Sequence, residues 1–113
     1  MADVLGTFEQ AVLLALVRPG TDLGKEAYGR SILKEVQVRL EREVAAGAVY
    51  ATLERLEEKG LISSQVGSGT EVRGGRPRRF YSIEPAGVRA LNEAKAASDR
   101  LWSGVPWPLK GAV

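Results

Sequence analysis

The sequence predicts a mainly α-helical fold that contains one small β-hairpin. Apolar residues recur at helical spacing in three segments before Gly60, and helical spacing returns after Pro85. Between these regions lie two short runs of β-forming residues joined by a glycine-rich loop. With 113 residues, the chain has room for one domain with a modest core.

The first helix is predicted to begin at the segment "TFEQ", residues 7–10. This pattern is typical of a capping box, in which Thr7 and Gln10 satisfy N–H groups of the first turn. The segment "RPG", residues 18–20, ends the helix because proline and glycine do not continue it. The apolar residues at helical spacing are Phe8, Val12, Ala15 and Leu16.

The next two helices are predicted over about residues 25–40 and 47–59. Gly60 ends the third helix, since glycine readily adopts the conformation that follows a helix. The apolar stripe of the second helix consists of Tyr28, Ile32, Val36 and Leu40, and that of the third of Val49, Leu53 and Leu56. Both stripes are expected to face the core.

The hairpin is predicted from the runs "LISSQV" and "RRFYSIE". Pro85 then suits the first turn of a final helix over about residues 85–102, which is followed by a proline- and glycine-rich tail. Three helices, a hairpin and a helix are the order of a winged helix–turn–helix with an added carboxyl-terminal helix. That final helix has more apolar surface than so small a core can use, which indicates a partner chain.

The chain contains no cysteine and no histidine. These absences remove disulfides, thiol chemistry, the usual transition-metal ligands and the usual general base. The acidic residues lack calcium-loop spacing, no apolar run is long enough to span a bilayer, and the amino terminus lacks a signal-peptide pattern. We therefore expect a binding protein of the reducing cytoplasm, with no enzymatic activity, no metal, no cofactor and no membrane partner.

The third helix has an asymmetric outer face, with small residues in its amino-terminal half and glutamates in its carboxyl-terminal half. A helix that enters the major groove of double-stranded DNA by its amino-terminal end needs small residues there, with acids kept away from the phosphates. The predicted DNA contacts on this helix are Gly47, Ala48, Tyr50, Ala51, Thr52 and Arg55. The alternative interpretation is an ordinary amphipathic helix in which alanine serves helix propensity.

The hairpin loop concentrates basic charge, because residues 72–79 contain four arginines and no acid in a chain of net charge +2. Paired glycines let such a loop follow a phosphate backbone, and Arg76 is expected to enter a narrow minor groove. The alternatives are a solvated turn and an arginine–glycine arm that binds RNA; a phosphate loop is excluded because its Gly-Lys-Ser/Thr ending is missing. The predicted contacts of this wing are Arg73, Gly74, Gly75, Arg76, Arg78 and Arg79.

Five segments carry a family resemblance in order and spacing: "GTFEQAVLLAL", "AYGRSI", "GAVYATLERLEEKGLISS", "RGGRPRRFYSI" and "AGVRAL". They cover roughly residues 5–102, and together they resemble the PadR family of bacterial transcriptional regulators. The resemblance implies a DNA-binding repressor of the bacterial cytoplasm that acts as a homodimer on a pseudo-palindromic operator. We expect a winged helix–turn–helix domain over residues 1–84, a dimerisation helix over 85–103 and a tail over 104–113.

The resemblance also implies that the final helix forms the dimer and that the first helix packs on the partner chain. The interface residues expected on this basis are Phe8, Val12, Val88, Leu91 and Leu101. The short final helix is similar to that of the short PadR subgroup, in which aromatic effectors sit at the dimer interface. Trp102 is therefore a candidate wall of a site for a planar aromatic effector, and the alternative is that it packs in the interface.

Two positions depart from the family pattern. Glu84 stands where the family usually has a threonine that caps the final helix, and position 45 lacks the serine or threonine that would cap the recognition helix. We expect both helices to begin without a good side-chain cap, while the DNA-reading face is unaffected. The alternative function for the same fold is a winged-helix module that binds protein instead of DNA.

Overall fold

A computed structural model of the chain describes residues 5–17, 27–67 and 78–111. Its helices are α1 (Thr7–Ala15), α2 (Gly29–Leu40), α3 (Ala46–Glu58) and α4 (Pro85–Trp102), and its strands are β1 (Ile62–Val66) and β2 (Arg79–Ile83). Between α3 and α4 the two strands pair as one antiparallel hairpin. The predicted mainly helical fold with a small hairpin is confirmed.

The capping box predicted at Thr7 is wrong by one residue. Gly6 precedes the helix, and its N–H donates to the Glu9 carboxylate at 3.2 Å. Thr7 is the first helical residue, and the Gln10 side-chain amide donates to the Leu5 carbonyl at 2.9 Å. The box shifts because Glu9, three residues after Gly6, is the side chain that reaches back to the chain before the helix.

Helix α2 begins at Gly29 instead of near residue 25. Tyr28 is held in extended conformation and forms an isolated β-bridge with Phe80, so the helix starts only after it. The Ser31 hydroxyl accepts from the Tyr28 N–H at 3.1 Å and donates to the Tyr28 carbonyl at 2.9 Å. The segment "RPG" and residue 25 lie outside the described residues.

The core lies where α1, α2 and α3 meet. The fully buried side chains include the predicted inward stripe of α3 and two residues of the α2 stripe: Val49, Leu53, Leu56, Ile32 and Val36. Ile62 of β1 and Ala94 of α4 close the core from the hairpin side. Burial of these apolar side chains is the main stabilising contribution in so small a domain.

The hairpin is fixed to the helices at its base. Its register pairs Ile62 with Ile83 and Val66 with Arg79. The Tyr81 N–H donates to the Ala27 carbonyl at 2.7 Å, which ties β2 to the segment before α2. These bonds place the first residue after the loop, Arg78, beside the amino-terminal end of α2.

Helix α4 follows β2 after a single residue, Glu84. No side chain caps the helix, as expected; the Glu84 carboxylate instead accepts from the Ser63 hydroxyl at 2.7 Å. Gly87 lies against the Leu61 carbonyl, where a β-carbon would overlap it. Only Gly87 and Ala94 of α4 are buried, so the second half of the helix extends away from the core. Among the described residues, no helix combines the length and apolarity needed to cross a membrane.

Candidate nucleic-acid interface

The amino-terminal half of the outer face of α3 is small, exposed and free of acids. Gly47, Ala48 and Ala51 all face solvent, and a β-carbon on Gly47 would meet no atom within 4 Å. Glu54 and Glu58 are also exposed but lie in the carboxyl-terminal half. Ala45, the residue before the helix, makes no side-chain capping bond, which confirms that expectation and leaves the first-turn N–H groups without a side-chain acceptor.

Thr52 was expected to contact DNA, and the structure contradicts this. Its side chain is only 2% exposed, because it lies on the same stripe as Val49 and Leu56 and faces the core. Its hydroxyl accepts a hydrogen bond from the Arg55 guanidinium at 3.1 Å. Thr52 therefore positions Arg55, which is exposed on the outer face.

Tyr50 lies across the first turn of α2. Half of its side chain is exposed, and its ring occupies the space that a β-carbon on Gly29 would need. Since Gly29 is buried and has no side chain, the ring reaches the amino-terminal end of α2, where backbone N–H groups carry partial positive charge. The glycine at position 29 is the sequence signal by which this contact could have been found.

Tyr50 forms one wall of a cleft of about 220 Å³ between α2, α3 and β2. Tyrosine side chains, two arginine side chains and the amino-terminal end of α2 lie around the cleft. Its lining residues are Tyr28, Gly29, Tyr50, Arg78, Arg79 and Tyr81. Sequence reasoning found Tyr50 and the two arginines but missed Tyr28, Gly29 and Tyr81.

The two arginines at the loop end of the hairpin are held in place. The guanidinium carbon of Arg78 lies 4.2 Å from the centre of the Tyr28 ring, within cation–π range. The Arg79 guanidinium donates to the Ser64 hydroxyl at 3.0 Å, and this hydroxyl donates to the Glu57 carboxylate at 2.8 Å. Four of the predicted wing contacts, Arg73, Gly74, Gly75 and Arg76, lie outside the described residues.

Tyr81 keeps its proton in this cleft. Burial raises the pKa of its hydroxyl above the ordinary value, and the carboxylates of Glu57 and Glu54 add to the effect, while Arg79 opposes it. At neutral pH the hydroxyl is therefore a hydrogen-bond donor. Together with the arginines, it gives the cleft the donors that an anionic oxygen requires.

A second groove, of about 470 Å³, runs between α1 and α4 and is mostly apolar. Leu14 and Val88 are each more than two-fifths exposed along it, and Leu91 is half-buried. The full lining consists of Gln10, Leu14, Val17, Val88, Leu91, Asn92 and Lys95. Leu14 and Val17 were missed as surface residues, although with Gln10 they share a second stripe of α1 at helical spacing.

Three of the expected interface residues do not line this groove. Val12 is fully buried in the core of its own chain, so it has no exposed surface that could contact a partner. Phe8 lies on the other side of α1, where it lines a groove with Ala48, Ala51 and Arg55 of α3. Leu101 at the far end of α4 is 79% exposed, and the Trp102 side chain next to it is also exposed.

The sequence pattern of one family extends over most of this architecture. The model of the transcriptional regulator PadR-like family matches residues 21–93, from the approach to α2 to the middle of α4. The chain belongs to the PadR-like family. The implied family and its role in transcriptional regulation are thereby confirmed.

Individual proteins are similar to this chain as well. The chain is 36% identical to transcriptional regulator Rv3488 of Mycobacterium tuberculosis over 91 residues, which are 80% of this chain and 78% of that protein. A PadR family transcription regulator from Clostridium difficile R20291 has a TM-score of 0.63 and 30% identity, covering 88% of this chain and 94% of that one. A PadR-like regulator from Bacillus cereus shares the fold, with a TM-score of 0.70, 22% identity and 95% of each chain covered.

Proposed function

We propose that this PadR-like chain is a repressor that binds a pseudo-palindromic operator as a homodimer. The observation that carries the proposal is the acid-free, small-residue half of α3 beside a cleft of tyrosines and arginines. In the proposed complex Gly47, Ala48 and Ala51 allow the α3 backbone to approach the major groove, and Arg55 reaches a base edge or a neighbouring phosphate.

The cleft between α2, α3 and β2 is proposed to hold one DNA phosphate. The Tyr50 and Tyr81 hydroxyls and the Arg79 guanidinium supply donors, and the amino-terminal end of α2 adds its partial positive charge. Arg73, Gly74, Gly75 and Arg76 are proposed to contact DNA as well, with Arg76 in the adjacent minor groove. Phosphate contacts of this kind fix the register of α3 and give affinity without sequence preference.

The homodimer is proposed to form through α4. An interface over Val88, Leu91 and Leu101 would cover apolar surface that the chain leaves exposed, and Leu14 of α1 and Val17 just after the helix extend that surface. The two α4 helices run antiparallel across a two-fold axis and cross at residues 96–98, where small side chains allow close approach. The half-sites would then lie about one turn of DNA apart.

A planar aromatic molecule is the proposed effector, with Trp102 as its wall. A crossing at residues 96–98 sets the two Trp102 Cα atoms roughly 15 Å apart along the helix axis, with an indole from each protomer facing the space between them. The smaller Ala and Ser side chains nearby leave room for a flat ring. Such an effector releases DNA only if it prefers one spacing of the two α3 helices.

The experiment that tests DNA recognition uses the region upstream of the protein's own gene, where an inverted repeat is expected. Ala48→Glu places a carboxylate on the small-residue face of α3, which is proposed to approach DNA. Operator binding should therefore fall by at least about a hundredfold. Thermal stability should be unchanged, because position 48 is not among the core residues of α3. The matched control is Ala86→Glu, which adds the same group beside Leu5, Lys59 and Leu61.

Fluorescence anisotropy against labelled operator measures both variants. Wild-type affinity in Ala48→Glu would show that α3 does not face DNA. Affinity that is weak in the wild-type protein and independent of salt would instead favour the alternative, a winged-helix module that binds protein.

A further inference from the structure

The segment after α4 is apolar and entirely exposed. Residues 103–110 all face solvent, although they include Val105, Trp107 and Leu109. The Trp107 side chain is 78% exposed and that of Leu109 61%. Together with Leu101 and Trp102 they form a continuous apolar stretch, which is the kind of surface that marks an interaction site.

The segment does not cover the α1–α4 groove of its own chain, since residues 103–110 are all exposed, and its Trp107 is too close to α4 to reach the far end of that groove. A helical rise of about 1.5 Å per residue places Trp102 roughly 21 Å along α4 from Val88. The chain from Ser103 to Trp107, even if folded back and fully extended, spans at most roughly 17 Å. Trp107 therefore cannot reach the level of Val88 in the protomer to which it belongs.

We propose that residues 103–110 of each protomer pack into the α1–α4 groove of the partner, with Trp107 as the anchor; this rests on the homodimer proposed above. Antiparallel α4 helices that cross at residues 96–98 bring Trp102 level with the partner's Asn92. The groove then begins beside the end of α4, and Val88 of the partner subunit lies only roughly 6 Å farther along the axis. Five residues of chain cover that distance easily.

Groove and segment match in chemistry. Leu14, Val17, Val88 and Leu91 give the groove an apolar floor, and a volume of about 470 Å³ is large enough for an indole and a neighbouring aliphatic side chain. Lys110 carries the only charge in the segment and lies beyond Trp107, so docking buries no unpaired charge. Pro106 and Pro108 restrict the free segment, which lowers the entropic cost of docking.

The first test follows Trp107 alone. The chain has two tryptophans, so Trp102→Phe leaves Trp107 as the sole indole. In the dimer its fluorescence emission should move to shorter wavelength and become protected from iodide quenching, and both effects should disappear on dilution to monomer. Trp107→Ala should raise the dimer dissociation constant about thirtyfold, as expected for a buried aromatic anchor. The control, Val38→Ala, removes an exposed apolar residue of α2 and should leave the dissociation constant unchanged.

The second test identifies which chain is contacted. Because the protein has no cysteine, Leu14→Cys chains can be mixed with differently tagged Trp107→Cys chains and oxidised. A covalent pair carrying both tags is expected, whereas Val38→Cys with Trp107→Cys should give little. Because Trp107→Cys removes the anchor itself, the chains are mixed at a protein concentration at which this variant is still dimeric.

The outcomes separate the two proposals. A dimer by sedimentation whose Trp107 remains quenchable and does not cross-link overturns the docked segment and leaves the homodimer standing. A chain that is monomeric at every concentration overturns both. Blue-shifted Trp107 emission in the monomer shows packing within one chain and also overturns the inference.

Discussion

At Gly29, the backbone of α2 lies so close to the Tyr50 ring that a β-carbon would overlap it. Gly29→Ala should therefore displace the ring or the helix and lower the free energy of unfolding by about 1–3 kcal/mol. In a Tyr50→Ala background the same change should be neutral or stabilising by about 0.5–1 kcal/mol, because alanine is the better helix former. Urea unfolding of the four proteins gives the coupling between the two residues.

Gly47→Ala is the matched control for this cycle, since a β-carbon on Gly47 meets no atom within 4 Å. Its stability should not fall. Gly29→Ala should also weaken operator binding, because a displaced ring moves the Tyr50 hydroxyl away from the phosphate cleft. An equal drop in stability with and without the Tyr50 ring would show that the ring is not what excludes a side chain at position 29.

For individual residues, the sequence predicted which side chains are buried better than it predicted which side chains touch one another. The 3.6-residue period identified Val49, Leu53 and Leu56 as core residues, and all three are fully buried. Thr52 falls on the same stripe, but its hydroxyl favoured a polar role, so it was assigned to DNA. The cleft of tyrosines and arginines could not be predicted as a unit, because it depends on the approach of α2, α3 and β2, whose contacting residues are distant in the chain.

The arginines of the wing give a prediction about DNA affinity and its salt dependence. Replacing Arg76 and Arg78 with alanine should weaken binding to operator and to unrelated DNA alike, because phosphate contacts carry no sequence information. The slope of log affinity against log salt should flatten by roughly one unit for each DNA phosphate that the variant no longer neutralises. Anisotropy titrations at several salt concentrations measure both effects.

The control for the wing is Arg89→Ala, which removes one exposed guanidinium from α4, away from the proposed DNA face. Its salt slope should equal that of the wild-type protein. If the slope is unchanged in both wing variants as well, the wing does not contact DNA, and the arginines of residues 72–79 form a solvated turn.

Helix α4 supplies the second prediction at this scale. Leu91→Asp would bury an unpaired carboxylate between the protomers, so the chain should sediment as a monomer and lose operator affinity, since a single half-site is a weak target. Val38→Asp places the same charge on an exposed position of α2 and should remain dimeric. A wild-type chain that is monomeric at micromolar concentration would contradict the prediction.

Element boundaries were predictable where the signal is local. Pro85 and the apolar spacing after it gave α4 as Pro85–Trp102, which the structure confirms. The start of α2 was misplaced because the bridge from Tyr28 to Phe80 joins residues far apart in sequence, and no local pattern reports it. Phe8 was misplaced for a similar reason: the period shows that it is apolar, but not which neighbour its side of α1 will meet.

Regulation by an effector would involve both protomers of the proposed homodimer. Planar aromatic compounds should quench the fluorescence of the wild-type protein, and Trp102→Ala, which retains Trp107, should lose that response. By linkage, a compound that weakens operator affinity by some factor must itself bind the operator complex more weakly by the same factor. Equal quenching in both proteins would place the ligand elsewhere. The absence of quenching by any compound would favour the interpretation that Trp102 only packs in the interface.

Glu84 is the only residue between the last strand of the hairpin and α4, and its carboxylate is bound to Ser63 of the opposite strand. This short, hydrogen-bonded junction allows little independent movement of hairpin and helix. In the proposed homodimer each hairpin and its α4 therefore turn together as one rigid arm. Over a helix roughly 27 Å long, a rotation of about 5° moves the far end by roughly 2 Å. The angle between the two arms would thus determine the distance between the two α3 helices, and only one such distance matches the helical repeat of DNA.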